Sequence, residues 1–547
     1  VQDYEFWSAK TSNRGMGTSY AKNAVDKYTM FTLENMLFYD KTFNDKHTLG
    51  VTLLQSIQED KRESVNVAME NLPADNLKYY DLGSGLVTNT IGSAMVKWNM
   101  ASFMGRINYN YLGRYLLTVS ARYDGSSRLA DGHKWVLFPS AALAWRINEE
   151  SFMSSTSGWL DNLKLRLGFG KTGNSAVDPY QTKGTLSLIR YPFDNGGTPT
   201  IGYAPNAMAN SLLTWETTDQ WNLGIDFGVL RGRINGTIDL YMQNTHDLLL
   251  KRQLPVVSGF PDVLSNVGKT RNKGIEVSIN SMNINSKDFQ WTTDLMLSSN
   301  KEEIVELYNG KNDDIGSKWF IGQPVNVHYD YRKVGIWQNT ESDLAEMAKF
   351  AANGTEFAPG DIKIQDVNGD YKITDADKQI LGNPRPKLIA SMVNTFNYKG
   401  FDLSVFLYAS FGAMLYNDIY AVEHCGRNGG VKVDYWTPNN PTNAYPRPSI
   451  DEERPIYITS TYYEKADFLR VKTMTLGYTL PKTLTNKFLV EKLRVYFTAQ
   501  NPFIFTNYTG IDPEAAKVNS AGNPETNGSG FGTPSVSSWI FGINLTL

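Results

Sequence analysis

The stretch DVNGDYKITDAD, residues 366–377, sets oxygen donors at alternate positions: Asp366, Asn368 and Asp370, then the main-chain carbonyl of Lys372, with Asp377 at the twelfth place. Hard oxygen ligands at positions 1, 3, 5, 7 and 12 are the pattern of an EF-hand-like calcium loop. Two features depart from it. The turn-making glycine of position 6 is Tyr371, with Gly369 two places earlier, and position 12 is Asp in place of the longer, bidentate Glu. The expectation is a structural Ca²⁺ held by Asp366, Asn368, Asp370, Lys372 and Asp377, against an Asx-rich turn ordered without metal. No other cofactor is required.

The remaining chemistry-bearing residues argue against catalysis. Gly170-Lys171-Thr172 looks like the tail of a phosphate-binding loop, but the partner glycine five residues earlier is replaced by Leu165 and no helical pattern follows. His47, His133, His246, His328 and His424 are remote from one another and show neither HExxH nor HxH spacing, which disfavours a zinc centre. Cys425, the single cysteine, lies beside Glu423 and His424, yet nucleophile and base normally converge from distant sequence, so it reads as a loop thiol. With 53 Lys+Arg against 56 Asp+Glu, there is no bulk charge for nucleic-acid binding. An enzyme is not expected.

Aromatic side chains are the candidates for ligand contact. Trp319, Phe320, Tyr329, Tyr331 and Trp337 fall in one long connection; Tyr435, Trp436, Tyr457, Tyr462 and Tyr463 fall in another. Flat rings stack on sugar faces or peptide side chains while neighbouring Asn and Asp supply hydrogen bonds. Packing within the loops, or against a capping partner, is the competing reading for each.

The elements that must position these loops repeat with a period of two. Tyr115, Leu117, Val119, Ala121 and Tyr123 occupy one parity, with Arg114, Thr118, Ser120, Arg122 and Asp124 on the other. The same alternation recurs in Phe103–Tyr111, Trp135–Trp145, Trp221–Val229 and the terminal Trp539–Leu547. About sixteen strands, most of about 10 to 15 residues, are predicted. Very short links (112–113, 230–232, 286–287, 399–400) alternate with long ones, expected at 60–95, 174–212, 244–270, 300–384, 413–465 and 503–535. Short turns at one end of an up-and-down sheet and long loops at the other are what an outer-membrane barrel shows. The polar parity is rich in Asn, Thr and Ser with isolated charges, as a wet lumen requires, and Trp and Tyr sit near strand ends as interfacial girdles do. The apolar parity is then expected to face lipid.

No apolar run reaches the roughly 18 residues of a membrane helix. A mean hydropathy of -0.36 is compatible with a strand-built membrane protein, whose apolar content is spread over alternate residues. The N-terminal VQDYEFWSAK has no signal-peptide pattern.

Several segments carry a family resemblance. NYLGRYLLTVSARYDGSSRLADGHKWVLFPSAALAWRINEESFM, LKLRLGFGKTGNS, GKTRNKGIEVSIN, GDIKIQDVNGDYKITDADKQILGNPRPK and DFLRVKTMTLGYTLP followed by FTAQNPFIFTNYTGIDPE resemble the barrel of SusC/RagA-type TonB-dependent outer-membrane transporters, in family order. The resemblance implies an all-β, transmembrane antiparallel barrel of 22 strands, of which residues 1–547 supply the C-terminal portion. The plug, the TonB-contacting segment and the first strands would lie in another part of the protein. It also implies active import of oligosaccharides or peptides, with a SusD-like surface lipoprotein outside and TonB engaged through the N-terminal part. An adhesive or structural anchor, or a passive porin, is the alternative function.

Overall fold

A computed structural model describes residues 1–13, 17–193, 200–417, 432–449, 454–485, 487, 490–514 and 535–547. Cys425, His424 and Glu423 lie outside the described residues. Sixteen strands form one sheet in which each pairs with its neighbours in chain order, from Gln2–Trp7 to Ser538–Thr546. Every pairing whose register is described is antiparallel.

The short links explain themselves locally. Tyr398 and Phe401 pair across Lys399-Gly400, which take φ of 45° and 91°, the double left-handed turn that matches the twist of a two-residue hairpin. Tight links also join Tyr111 to Tyr115, Val229 to Ile234 and Asn285 to Phe289. The opposite connections are 8–19, 71–86, 127–134, 175–215, 247–268, 307–387, 412–467 and 507–537, while 147–159 and 480–491 are longer links on the tight-turn side.

One expected boundary is wrong. Residues 60–95 are not a loop: the strands Tyr20–Phe43, His47–Glu70 and Val87–Tyr111 run for 24, 24 and 25 residues, leaving only 71–86 as the connection. Charges that read as loop are instead cross-strand neighbours. Lys97 lies 2.9 Å from Glu59 and Arg62 3.0 Å from Asp26. Opposite charges on adjacent strands support pairing that an alternation rule alone does not detect.

The chain divides into two compact units, residues 1–145 with 167–221 and 244–269, and residues 146–166 with 222–243 and 270–547. In the first, Leu129, Phe138, Val177, Leu213 and Trp215 form a small buried cluster, and the Trp215 Nε1–H donates to the Lys134 carbonyl at 2.8 Å. In the second, the described residues of the connections 307–387 and 412–467 fold together around their own core. Ile336, Trp337, Met347, Phe350, Ile362, Ile364, Ile373, Trp436, Ile458 and Tyr462 are buried there. The helix Glu341–Ala352 supplies Met347 and Phe350; its Thr340 cap accepts from the Asp343 N–H, and Glu341 and Asp343 face the positive end of its dipole.

Candidate functional site

The strand Tyr115–Ser126 shows which face is which. Tyr115, Leu117, Val119 and Tyr123 are 40–44% exposed, whereas Asp124 is buried. An apolar face turned outward from a polar one inverts the pattern of a water-soluble sheet. The polar parity is internally bonded. Ser120 and Ser140 hydroxyls lie 2.6 Å apart, and Arg122 donates to Asp124 at 2.8 Å and to the Ser102 hydroxyl at 2.8 Å. In the second unit, Arg166 bridges Asp226 and Asp239, and Arg494 donates to Asp402.

Aromatic residues mark both ends of the apolar face. Tyr115 stacks with Trp145 and with Tyr111 at the short-turn end. Tyr123 and Phe103 stack with Trp135 at the other. Tyr115 and Tyr123 are eight residues apart, roughly 27 Å along a strand. Tilted, that span matches a lipid-facing band of about 25 Å.

The predicted aromatic contacts separate into three groups. Tyr331, Trp337 and Trp436 come together in the loop core with Tyr457 and Tyr462. Trp337 is fully buried and Trp436 nearly so, with its Nε1–H donating to Gln338 Oε1 at 2.8 Å. These two rings hold the loop unit together and present no open face. Phe320, also buried, packs on Tyr329 at 4.8 Å between ring centres. Trp319 is half-buried and Tyr435 is 46% exposed.

One feature escaped the sequence pattern. A cavity of about 270 Å³ opens beside the loop core, lined by Phe357, Tyr457, Glu356, Asp361, Ile456 and Arg447. Arg447 Nε donates to Asp361 at 2.9 Å, so two ring edges and a charged pair border one space. Phe357 and Arg447 are 90 residues apart in a chain whose loops have no periodicity, and no spacing rule connects them.

Burial sets the protonation of the loop interior. His328 is 3% exposed and its Nε2 lies 2.7 Å from the Met414 carbonyl, consistent with a donated Nε2–H; desolvation holds its pKa below the ordinary histidine value. Desolvation likewise pushes Lys333 down to about 8, although its ammonium donates to the Ala444 carbonyl. Tyr331 is pushed up to about 12 by burial and by the charge of Asp375, to which it donates. Tyr463 rises for the same reasons, beside Asp330.

In the 366–377 loop the carboxylates serve the backbone. Asp366 accepts from the N–H groups of Gly369 and Tyr371 at 2.7 and 2.8 Å, and Asp370 from that of Lys372 at 2.8 Å. Asp377, fully buried, accepts from Val367 and Thr374. Tyr371 itself takes φ 57°, making the turn that glycine would make at position 6. Among the described residues, no three His, Cys, Asp or Glu side chains converge on a metal-sized space. The acidic side chains are therefore not a preformed cage; a cation there would depend on Asn368 and main-chain carbonyls as well. Gly170-Lys171-Thr172 lies inside the strand Leu160–Asn174, where no phosphate loop can form.

A long antiparallel sheet with an outward apolar face, aromatic girdles and loops segregated to one end is the wall of an outer-membrane barrel. The sequence matches the TonB dependent receptor-like, beta-barrel family over residues 2–501, and the chain belongs to that family. It is 32% identical over 531 residues to TonB-dependent receptor P3 of Formosa agariphila, covering 94% of this chain and 52% of that protein. It is 35% identical over 434 residues to TonB-dependent receptor SusC of Bacteroides thetaiotaomicron, covering 76% and 41%. The fold superposes on the structure of the RagAB peptide transporter with a TM-score of 0.80 at 22% identity, over 97% of this chain and 56% of that one. The chain spans about half the length of the curated relatives it matches. Membership places it among outer-membrane receptors, not enzymes.

Proposed function

We propose that this chain forms most of the barrel wall and outer loops of an active importer for oligosaccharides or peptides. A SusD-like surface lipoprotein captures the substrate, and TonB supplies energy through a part of the protein outside these residues. The observation that carries this reading is the folded loop unit: two long connections, on the same side of the sheet, build a core that borders a cavity with aromatic and charged walls. A pore alone needs no such structure. Tyr435, exposed on that unit, and the Phe357, Tyr457 and Arg447 walls are the proposed substrate contacts; Trp319, Phe320, Tyr329, Tyr331, Trp337 and Trp436 shape the unit that carries them.

The test is uptake of labelled oligosaccharides and labelled peptides by cells carrying or lacking the gene, with and without TonB. Gene- and TonB-dependent uptake of one class supports import. Uptake independent of TonB would point to a passive pore, and no gene-dependent uptake of either class would defeat the reading. Within an importer, Tyr435→Ala should weaken substrate binding by roughly tenfold, the scale of one stacking contact.

A structural Ca²⁺ at Asp366, Asn368, Asp370, Lys372 and Asp377 is proposed separately. Adding Ca²⁺ to chelated protein should then slow proteolysis between residues 360 and 387, and Asp370→Ala should abolish that protection. Equal cleavage with and without Ca²⁺ would leave the Asx-rich turn as the whole account.

A further inference from the structure

The cavity of about 270 Å³ beside the loop core holds a guanidinium that the fold aims but does not saturate. The Arg447 backbone N–H donates to the Gly360 carbonyl at 2.8 Å, and its Nε–H donates to Asp361 Oδ1 at 2.9 Å. The other oxygen of Asp361 accepts from the Ala358 N–H at 2.7 Å, so the carboxylate is itself held in place. Gly360 takes φ 92°, and a Cβ there would lie 2.5 Å from the Trp436 ring and 2.7 Å from Arg447 Cβ; this close approach needs glycine. The terminal nitrogens of Arg447 meet no partner among the described residues. Nor does the carboxylate of Glu356, which lines the same space.

The remaining walls decide what that free fork meets. Phe357 packs on Trp337 at 5.5 Å and on Phe350 at 5.4 Å between ring centres, and Tyr457 packs on Tyr331 at 5.0 Å. These rings are committed to the loop core, whereas stacking on a sugar needs an open ring face. Pro446, Pro455, Ile373 and Ile456 add an aliphatic surface, and Ile456 is exposed. The lining residues Glu356 and Asp361 carry two negative charges against one positive on Arg447, a net charge of -1. That balance admits a single carboxylate and disfavours a phosphate, a sulfate or a polyanionic glycan. The volume falls below the roughly 300–1,000 Å³ of sites that enclose a whole small ligand, so the cavity takes one end of a chain. Tyr457 also takes a left-handed φ of 63°, a strained conformation that persists only where its surroundings enforce it.

We propose that this cavity binds the C-terminal end of a peptide, an assignment that rests on the importer reading above. The terminal nitrogens of Arg447 hold the carboxylate as a paired fork. Glu356 accepts the last peptide N–H, and an apolar last side chain lies on the proline and isoleucine walls. A neutral oligosaccharide offers neither the carboxylate nor the apolar group. A uronic acid offers the carboxylate alone.

The experiment uses the receptor extracted in detergent from its native outer membrane together with its co-purifying partners. The probe is a mixture of short peptides ending in Leu, Val or Asp, as free acids and as C-terminal amides, with neutral and uronic-acid oligosaccharides alongside; retention is read by native mass spectrometry. Wild type should retain the acids ending in Leu and Val, and amidation should weaken retention roughly tenfold or more. Arg447→Gln should lower the acids to the level of the amides and leave the amides unchanged, with Arg447→Lys between. The comparison of acid with amide needs no variant, so it decides the matter even if Arg447→Gln loosens the loop unit. Equal retention of acid and amide, equal weakening of both by Arg447→Gln, or retention of an oligosaccharide in preference to the peptides would each overturn the assignment. TonB-dependent uptake of oligosaccharide alone would overturn it while leaving the importer reading intact. Acid-selective retention without any gene-dependent uptake would support the peptide site and defeat the importer.

Discussion

Asp377 shows how a ligand spacing can be read in two ways. Its buried carboxylate accepts two backbone N–H bonds across the loop, from Val367 and Thr374. Truncation would strand those donors, so Asp377→Ala should destabilise the loop unit by about 1–3 kcal/mol with or without calcium, measured by hydrogen exchange of the 360–387 backbone. Loss of protection only in the presence of Ca²⁺ would show that the metal, not the amides, needs the carboxylate. His328 makes a pH prediction with a defined sign. Its folded pKa lies below the ordinary value of about 6.5, so the unfolded chain binds more protons as acid is added. The stability it contributes is present above about pH 6.5 and lost as pH falls below that. Lys333 acts in the same direction at the alkaline end, stability rising with pH between about 8 and its unfolded value near 10.4. Protease sensitivity of the loop unit should therefore increase from pH 7 to pH 5, and His328→Gln should flatten that change. At this scale the sequence shows residue types well and environments poorly. Trp337 and Tyr435 look equally suitable for stacking on a ligand, and only the three-dimensional packing of distant loops makes one a core residue and the other a surface one.

The strands were the most legible elements, because a period of two needs only one chain segment to be visible. Tyr115–Tyr123 carries it without interruption, and its outward parity is the one the apolar residues occupy. Where both parities carry charge, as at Glu59, Asp60, Lys61, Arg62 and Glu63, the same strand reads as loop; its pairing depends on partners such as Lys97 that lie far along the sequence. The two faces make a paired test. Val119→Arg puts a cation on the lipid face and should cost about 2–4 kcal/mol of folding stability, whereas Thr118→Arg on the polar parity should cost much less. Denaturant unfolding in liposomes checks this, and equal costs would refute the assignment of faces. The loop unit makes another prediction. Trp337→Ala should cost about 3–5 kcal/mol locally, exposing residues 307–387 to protease while the strands of the sheet stay protected.

At the scale of the whole molecule, the sixteen-strand order gives Gln2–Trp7 and Ser538–Thr546 one strand neighbour each among the described residues. A bare sheet edge in hydrocarbon leaves N–H and C=O groups unsatisfied at several kcal/mol each, so in the membrane both edges must be covered. The match covers about half of each curated relative's length. The most direct measurement is therefore gentle detergent extraction from the native outer membrane, followed by mass spectrometry of everything that co-purifies. The account predicts a detergent-dependent particle containing this chain, further sequence of the same gene product, and a SusD-like lipoprotein in equal amounts. This chain recovered alone, folded and soluble without detergent, would contradict it, because the apolar parity would then never have faced lipid.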